Sequence, residues 1–239
     1  MNTDKITNLL DQETIKYLFS IFHNYKSEIR LVGGSIRDTL IDRDVKDIDS
    51  ATSLEPDEVL DLLKKHNIEY DDYALRYGSI IAYLNNKKIQ ITTLREDINQ
   101  LGRHTSVLYT KDWKKDAARR DFTFNALYLG IDQKVYDFYN GEKDLKEKKI
   151  KFIGEIEDRI KEDYLRIYRY FRFLGLFDQP EIDETTQLFV EKYIHESLVV
   201  LTNDVIRQEV LKMFNMPFPL NCFFRSHDKF KWVEILKEH

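Results

Sequence analysis

The sequence predicts a mixed α/β (α+β) region over residues 1–150, built on a mixed sheet, followed by an all-helical region over residues 151–239. Three observations predict this. Strand-like apolar runs alternate with helical spacings up to about residue 150. From Glu155 onward helical patterns dominate and strand patterns vanish. The chain of 239 residues suits one large domain or two small ones, and its 4 prolines and 8 glycines argue against long disordered linkers.

The elements follow in order. Residues 11–26 read as an amphipathic helix with Ile15, Leu18, Phe19 and Phe22 on one face. Residues 29–33 and 46–51 read as strands. Pro56 then opens a helix in which Val59, Leu60 and Leu63 recur at helical spacing. Ile68–Ala74, Ser79–Leu84 and Lys88–Leu94 read as further strands, with Asn85-Asn86 as the turn of a hairpin. The polar segment Arg95–Thr105, which contains Gly102, reads as a loop, and residues 111–119 read as a helix. Asn125–Leu129 and Lys134–Phe138 read as short strands around Gly130. The lysine-rich stretch Glu142–Lys151 reads as a solvated surface.

Composition excludes several classes. Hydrophobic residues make up 42% and charged residues 33%, the balance of a soluble globular protein. The single cysteine, Cys222, leaves no disulfide framework and no cysteine metal site, so a small buried apolar role is expected for it. The start, MNTDKITNLLDQ, has no apolar signal region, and no apolar run reaches the length of a membrane span. A cytoplasmic or organellar-matrix location is therefore expected, with no membrane partner. The net charge of −5 means that any nucleic-acid partner must be held by local patches.

Two segments close to each other carry the first chemical signal. Leu31-Val32-Gly33-Gly34-Ser35-Ile36-Arg37-Asp38 reads as an apolar strand ending in two glycines, then a helix with an arginine in its first turn. Glycines let backbone N–H groups approach a phosphate closely, and a helix start favours negative charge. Asp47-Ile48-Asp49 follows on a second strand. Alternate strand residues share a face, so Asp47 and Asp49 project together while Ile48 faces the core. Their Cα atoms would lie roughly 6.6 Å apart, from about 3.3 Å of rise per residue. Carboxylates so spaced can converge on two metal ions about 3.5–4 Å apart. A lone Asp-x-Asp is more often a solvated loop. The combination with the glycine turn makes phosphate and metal binding the sharper reading.

Arg119-Arg120-Asp121-Phe122-Thr123-Phe124-Asn125-Ala126 gathers two arginines, an aspartate and an asparagine at a helix-to-strand junction. Arginines can neutralise phosphates, and Asp121 or Asn125 can hydrogen-bond a ribose hydroxyl. Read structurally, the same segment is an exposed charged turn. Further on, Asp163, Arg166, Arg169 and Arg172 fall at successive steps of three and form a slanting helical stripe. An Asp–Arg pair there can present both acceptors and donors to the edge of a base. The plain alternative is a ladder of salt bridges. The interleaved Tyr164, Tyr168, Phe171 and Phe173 instead suggest a half-buried helix.

Together these segments resemble the class II tRNA nucleotidyltransferase and poly(A) polymerase family, over roughly Leu31 to Phe173. Gly33-Gly34-Ser35-Ile36-Arg37-Asp38 with Asp47-x-Asp49 looks like its catalytic motif, Arg119–Ala126 like its ribose-binding motif, and Glu162-Asp163-x-x-Arg166 like its nucleotide-templating motif. Asp112-Trp113, Asp116-Ala117-Ala118 and Gly102-Arg103-His104 are most similar to the bacterial CCA-adding branch. The resemblance implies a nucleotidyltransferase head over residues 1–150 and a helical neck with a partial body over 151–239. It implies template-independent addition of CCA to the 3′ end of tRNA from CTP and ATP, with Asp47 and Asp49 holding two Mg²⁺ ions. Gly33, Gly34, Ser35, Arg37 and Asp38 would serve the triphosphate, and Arg119, Arg120, Asp121 and Asn125 the phosphates and sugar. Asp163 and Arg166 would read cytosine or adenine, with Arg169 and Arg172 drawing in phosphate. The segment Glu96–Thr105 resembles the flexible element that helps switch from C to A addition.

Many relatives carry a glutamate on the strand before Thr92-Thr93-x-Arg95, where this chain has Gln90, so Glu96 is the remaining nearby acid. Asp204–Glu209 fits the family's later Glu-Arg-Ile element in part. Family members usually continue through further helical regions. The chain is accordingly expected to be a minimal enzyme, a fragment, or one that needs a second subunit. The competing functions are CC-only or A-only addition, poly(A) synthesis and non-catalytic RNA binding.

Overall fold

The computed structural model describes residues 3–45, 47–101 and 104–224. Its chain forms two compact units. The first takes the chain up to Asn99, then Ser106–Arg120 and Phe124–Glu142. The second takes Gln100–Thr105, Asp121–Thr123 and the chain from Lys143.

The first unit opens with α1 (Thr3–Leu10) and α2 (Glu13–Asn24), then β1 (Ile29–Val32), α3 (Gly34–Leu40), β2 (Ile48–Thr52) and α4 (Pro56–Lys65). β3 (Glu69–Asp71), β4 (Ser79–Leu84) and β5 (Lys87–Thr93) follow. β6 (Arg95–Leu101) and β7 (His104–Tyr109) pair as a separate two-stranded sheet. α5 (Trp113–Ala118), β8 (Leu127–Leu129), β9 (Val135–Asp137) and α6 (Gly141–Lys146) come next. The main sheet has seven strands in the order β3-β4-β5-β2-β1-β8-β9. β2 and β5 run parallel and every other neighbour is antiparallel, so the sheet is mixed as expected.

Register divides this sheet into two unlike faces. Ile29, Leu31, Ile48, Ile80, Ala82, Ile89, Ile91, Leu127 and Leu129 join one buried cluster with Ile6 and Leu9 of α1, Phe19 and Phe22 of α2, and Val59 and Leu63 of α4. The alternate residues point the other way. Asp49 pairs with Gln90, and Gln90 with Ile81, so these side chains form one row across β2, β5 and β4. Ala51, Thr92 and Ser79 form the next row. The helices α1, α2 and α4 thus cover the isoleucine face, and the carboxylate row lies on the opposite one.

Local chemistry explains the element ends. Glu55 and Glu58 close a capping box around Pro56 at the start of α4, as the proline signal predicts. Asn85 and Asn86 both take positive φ, 48° and 61°, the backbone of a tight hairpin turn. Four expectations are corrected. α1 is absent from the sequence reading because its apolar face is only Ile6, Leu9 and Leu10 in a short polar segment. The strand expected over 68–74 is confined to Glu69–Asp71, because the Asp71 carboxylate accepts the Tyr73 N–H at 2.9 Å and turns the chain into a short 3₁₀ segment, Leu75–Tyr77. Arg95–Thr105 is not a loop: β6 and β7 carry most of it. Ile98 and Leu108 are exposed there, so this ribbon has no apolar alternation to read. Gly102 and Arg103 lie outside the described residues. Asn125 ends a 3₁₀ turn, Thr123–Asn125, and the strand starts only at Leu127.

The second unit is helical: α7 (Ile156–Glu162), α8 (Leu165–Leu174), α9 (Glu184–Lys192), α10 (Ile194–Val200), α11 (Asn203–Phe214) and α12 (Pro219–Phe224). α8 is its axis. Ile167, Tyr168, Tyr170, Phe171, Phe173 and Leu174 are all buried, and the Phe122 ring packs 5.4 Å from Phe173 and 4.7 Å from Phe152. A Cβ on Gly175 would collide with Cys222 and Met216, so glycine permits this close approach. Cys222 is buried, and burial pushes its thiol up to about 11, the apolar role expected for it. Among the described residues no helix is long and apolar enough to cross a membrane.

Ile91 sits at the centre of the covered sheet face and is 1% exposed. Ile91→Ala is expected to lower the unfolding free energy by about 2–5 kcal/mol, read from the shift of the urea midpoint.

Candidate active site

β1 ends at Val32, and Gly33 turns the chain with φ 71° and ψ −124°, a conformation that strains any side-chain-bearing residue. Its N–H donates to the Leu127 carbonyl at 3.1 Å, and its carbonyl accepts the Arg37 N–H at 3.0 Å as α3 begins. A Cβ on Gly33 would lie 3.5 Å from Arg120 Nη1, and one on Gly34 would lie 3.5 Å from Arg37 Nη2. The two glycines therefore leave open a small cradle edged by two guanidinium groups.

Each side chain around the cradle is held. The Ser35 hydroxyl donates to the Val32 carbonyl at 3.1 Å. Arg37 is 8% exposed. It donates through Nε and Nη2 to the two carboxylate oxygens of Asp38, at 2.9 and 3.1 Å, and through Nη1 to Asn125 Oδ1 at 2.6 Å. The sequence-predicted Arg37, Asp38 and Asn125 are thus one hydrogen-bonded group, although Asn125 lies 88 residues away.

Asp47 stands one residue before β2, not within it, because the strand starts at Ile48. It is exposed, and Asp49 is half-buried. Burial raises the Asp49 carboxyl above the usual carboxylate range. Arg120 opposes this, Asp47 adds to it, and Arg37 opposes it. The two aspartates are therefore near enough to repel. Asp49 lines a cavity of about 390 Å³ with Gln90, Tyr77, Arg95, Arg119 and Arg120 among its walls. Gln90, neutral, sits beside Asp49 in parallel register. Glu96 is engaged by Lys115 at 3.0 Å.

This donor set fits a hard divalent cation. The Asp47 charge adds to the cost of ionising Asp49, and a bound cation would offset that cost. Among the described residues no group of three or more His, Cys, Asp and Glu side chains converges to hold a metal. Mg²⁺ is commonly bound through one or two carboxylates, with water and substrate phosphates completing its shell.

Sequence reasoning assigned no role to Asp116. It is fully buried in α5, and its carboxylate accepts from Arg119 Nε and Nη2, Arg120 Nη2 and the Tyr128 hydroxyl. The signal was present: Asp116 stands three and four residues before the arginine pair on a helical turn.

In the second unit each predicted arginine has its own acid. Arg166 Nη1 donates to Glu162 at 2.7 Å and to the Arg159 carbonyl at 2.6 Å. Arg169 Nε donates to Asp121 Oδ2 at 2.6 Å. Arg172 Nε lies 2.9 Å from Glu209. Asp163 is not on the helical stripe. It separates α7 from α8 with extended φ −151° and ψ 103°, and its side chain accepts the Leu165 N–H at 3.0 Å, which starts the new helix.

Residues 29–151 match the family described as poly A polymerase head domain. CCA tRNA nucleotidyltransferase 1, mitochondrial, of Homo sapiens is 42% identical over 170 residues, covering 70% of this chain and 39% of that protein. The CCA-adding enzyme of Lactobacillus helveticus is 35% identical over 198 residues, covering 82% and 48%. The fold matches the crystal structure of the Bacillus stearothermophilus CCA-adding enzyme in complex with CTP with a TM-score of 0.80 at 23% identity, covering 91% of this chain and 53% of that one. The chain belongs to the class II tRNA nucleotidyltransferase and poly(A) polymerase family. It spans less than half the length of those two curated relatives.

Burial alone would raise the Asp116 carboxyl, but Arg119, Arg120 and the Tyr128 hydroxyl hold it down at about 2. A folded value below the ordinary one stabilises the protein above about pH 4, and this contribution is lost as pH falls toward 2. The unfolding free energy is expected to drop over that interval, with a shallower drop in Asp116→Asn, measured by urea titration at a series of pH values.

Proposed function

We propose that this chain carries the catalytic portion of an enzyme that adds C, C and A to the 3′ end of tRNA from CTP and ATP, choosing bases without a nucleic-acid template. The observation that carries the reading is Asp49. Asp47 is close enough to repel it, and it lines a cavity walled by Arg95, Arg119 and Arg120. The names of the relatives support the same chemistry. In this reading residues 1–150 are the head, and residues 151–239 are a neck and part of a body. The compartment is cytoplasmic or an organellar matrix, and any second subunit would complete the grip on tRNA.

Asp47 and Asp49 would hold two Mg²⁺ ions. When bound, such ions acidify the acceptor hydroxyl and offset charge on the leaving pyrophosphate. The chain's own groups do the rest. Gly33 and Gly34 leave room for phosphate oxygens against the backbone, and Ser35 fixes that turn through Val32. Arg37, locked by Asp38 and Asn125, adds a fixed positive charge. Arg119 and Arg120 bring two more to the cavity wall. Such groups need no reorganisation as charge develops. Asp121, whose Oδ2 accepts Arg169 Nε, would serve the sugar by accepting a ribose hydroxyl. Asp163 and Arg166 read the base edge, so a G or U would leave polar groups unpaired. Arg169 and Arg172, held by Asp121 and Glu209, would draw in phosphate.

The test is incubation with tRNA lacking its 3′ end and each labelled nucleoside triphosphate, separately and in pairs. Two C residues from CTP and one further A with ATP are expected, with no G or U. Long A tails from ATP alone would mark a poly(A) polymerase. No incorporation beside intact RNA binding would leave an RNA-binding module.

A further inference from the structure

The Asp116 carboxylate is the most heavily bonded acid in the first unit's site, yet it does not line the cavity. Its side chain is 0% exposed. Oδ1 accepts Arg119 Nε at 2.9 Å, Arg119 Nη2 at 2.8 Å and the Arg95 backbone N–H at 3.2 Å. Oδ2 accepts the Tyr128 hydroxyl at 2.7 Å and Arg120 Nη2 at 3.2 Å. The Tyr128 hydroxyl in turn accepts Arg120 Nε at 3.2 Å. One buried acid thus sits behind both arginines that line the cavity with Asp49 and Arg95, and it also ties down the first residue of β6.

The arrangement has a physical consequence. Arg120 is close enough to Asp49 to act on its charge. A guanidinium with two carboxylates in reach divides between them, and one that settles on Asp49 would compete with a cation for the same oxygens. A carboxylate fixed in the protein interior, with strong charge-assisted bonds, holds the arginines in place before any substrate arrives. We propose that Asp116 is a positioning residue: it holds Arg119 and Arg120 as a fixed fork for the nucleotide's triphosphate and keeps Arg120 from collapsing onto Asp49. This rests on the nucleotidyl-transfer reading above, and it assigns a task to a side chain that touches neither substrate nor metal.

Such a role differs from plain structural support in one measurable way: it acts only through the arginines. Binding of inorganic tripolyphosphate is measured by calorimetry on the full chain, and binding of acceptor RNA by gel shift. Asp116→Asn is expected to weaken tripolyphosphate about 10-fold and to leave RNA affinity within about twofold. In an Arg119→Ala/Arg120→Ala background the same replacement is expected to add less than about twofold, because the groups it positions are gone. An equal loss in both backgrounds, or a parallel loss of RNA affinity, would overturn the proposal. If Asp116→Asn does not fold, Tyr128→Phe removes one donor to Asp116 and the acceptor of Arg120 Nε. It is expected to cost about threefold in tripolyphosphate affinity alone, and no change, or a parallel loss for RNA, would count against the proposal. A wild-type chain that binds neither tripolyphosphate nor CTP nor ATP would overturn the nucleotidyl-transfer reading itself, and this inference with it.

Discussion

A β-strand offers only every second side chain to one face, and on β2 that constraint assigns Ile48 and Asp49 opposite tasks. Ile48 is 4% exposed and joins the cluster beneath α1, α2 and α4. Asp49 must then project from the other face, into the cavity. Sliding β2 by one residue would drop a carboxylate into a hydrocarbon core, so the hydrophobic packing fixes the register of the chemistry. The parallel pairing with β5 places Gln90 beside Asp49, and the antiparallel neighbours extend the row to Ile81. Stability and site geometry are thus two sides of one sheet.

Charge is organised by the same logic of fixed partners. Arg37 is locked by Asp38 and Asn125, and Arg119 and Arg120 are locked by Asp116. In the helical unit Arg166, Arg169 and Arg172 rest on Glu162, Asp121 and Glu209. Because the arginines are partly or fully buried, an acid beside each offsets the cost of taking its charge out of water.

The parts of this arrangement that were legible in the sequence are those written locally. Pro56, Asn85-Asn86 and the paired glycines each act over a few residues and appear as read, whereas of the Asp47-Ile48-Asp49 alternation only Ile48 and Asp49 lie on the strand. Long-range partners were not legible: nothing near Arg37 announces Asn125, and nothing near Arg169 announces Asp121. The ribbon β6–β7 was missed because exposed Ile98 and Leu108 leave no apolar period. Asp163 was misplaced because a step of three looks helical even where an aspartate side chain interrupts the helix. Asp116 was readable, as an acid one turn before two arginines, but its importance emerges only from its burial and from Tyr128 arriving on β8.

The most direct test of the central claim removes the two acids and keeps the fold. Asp47→Ala and Asp49→Ala together are compared with the unaltered chain for Mg²⁺-dependent incorporation into trimmed tRNA and for RNA affinity. Loss of incorporation with RNA affinity retained is the predicted result. Incorporation that persists in the double replacement would contradict the assignment of these carboxylates to the chemistry.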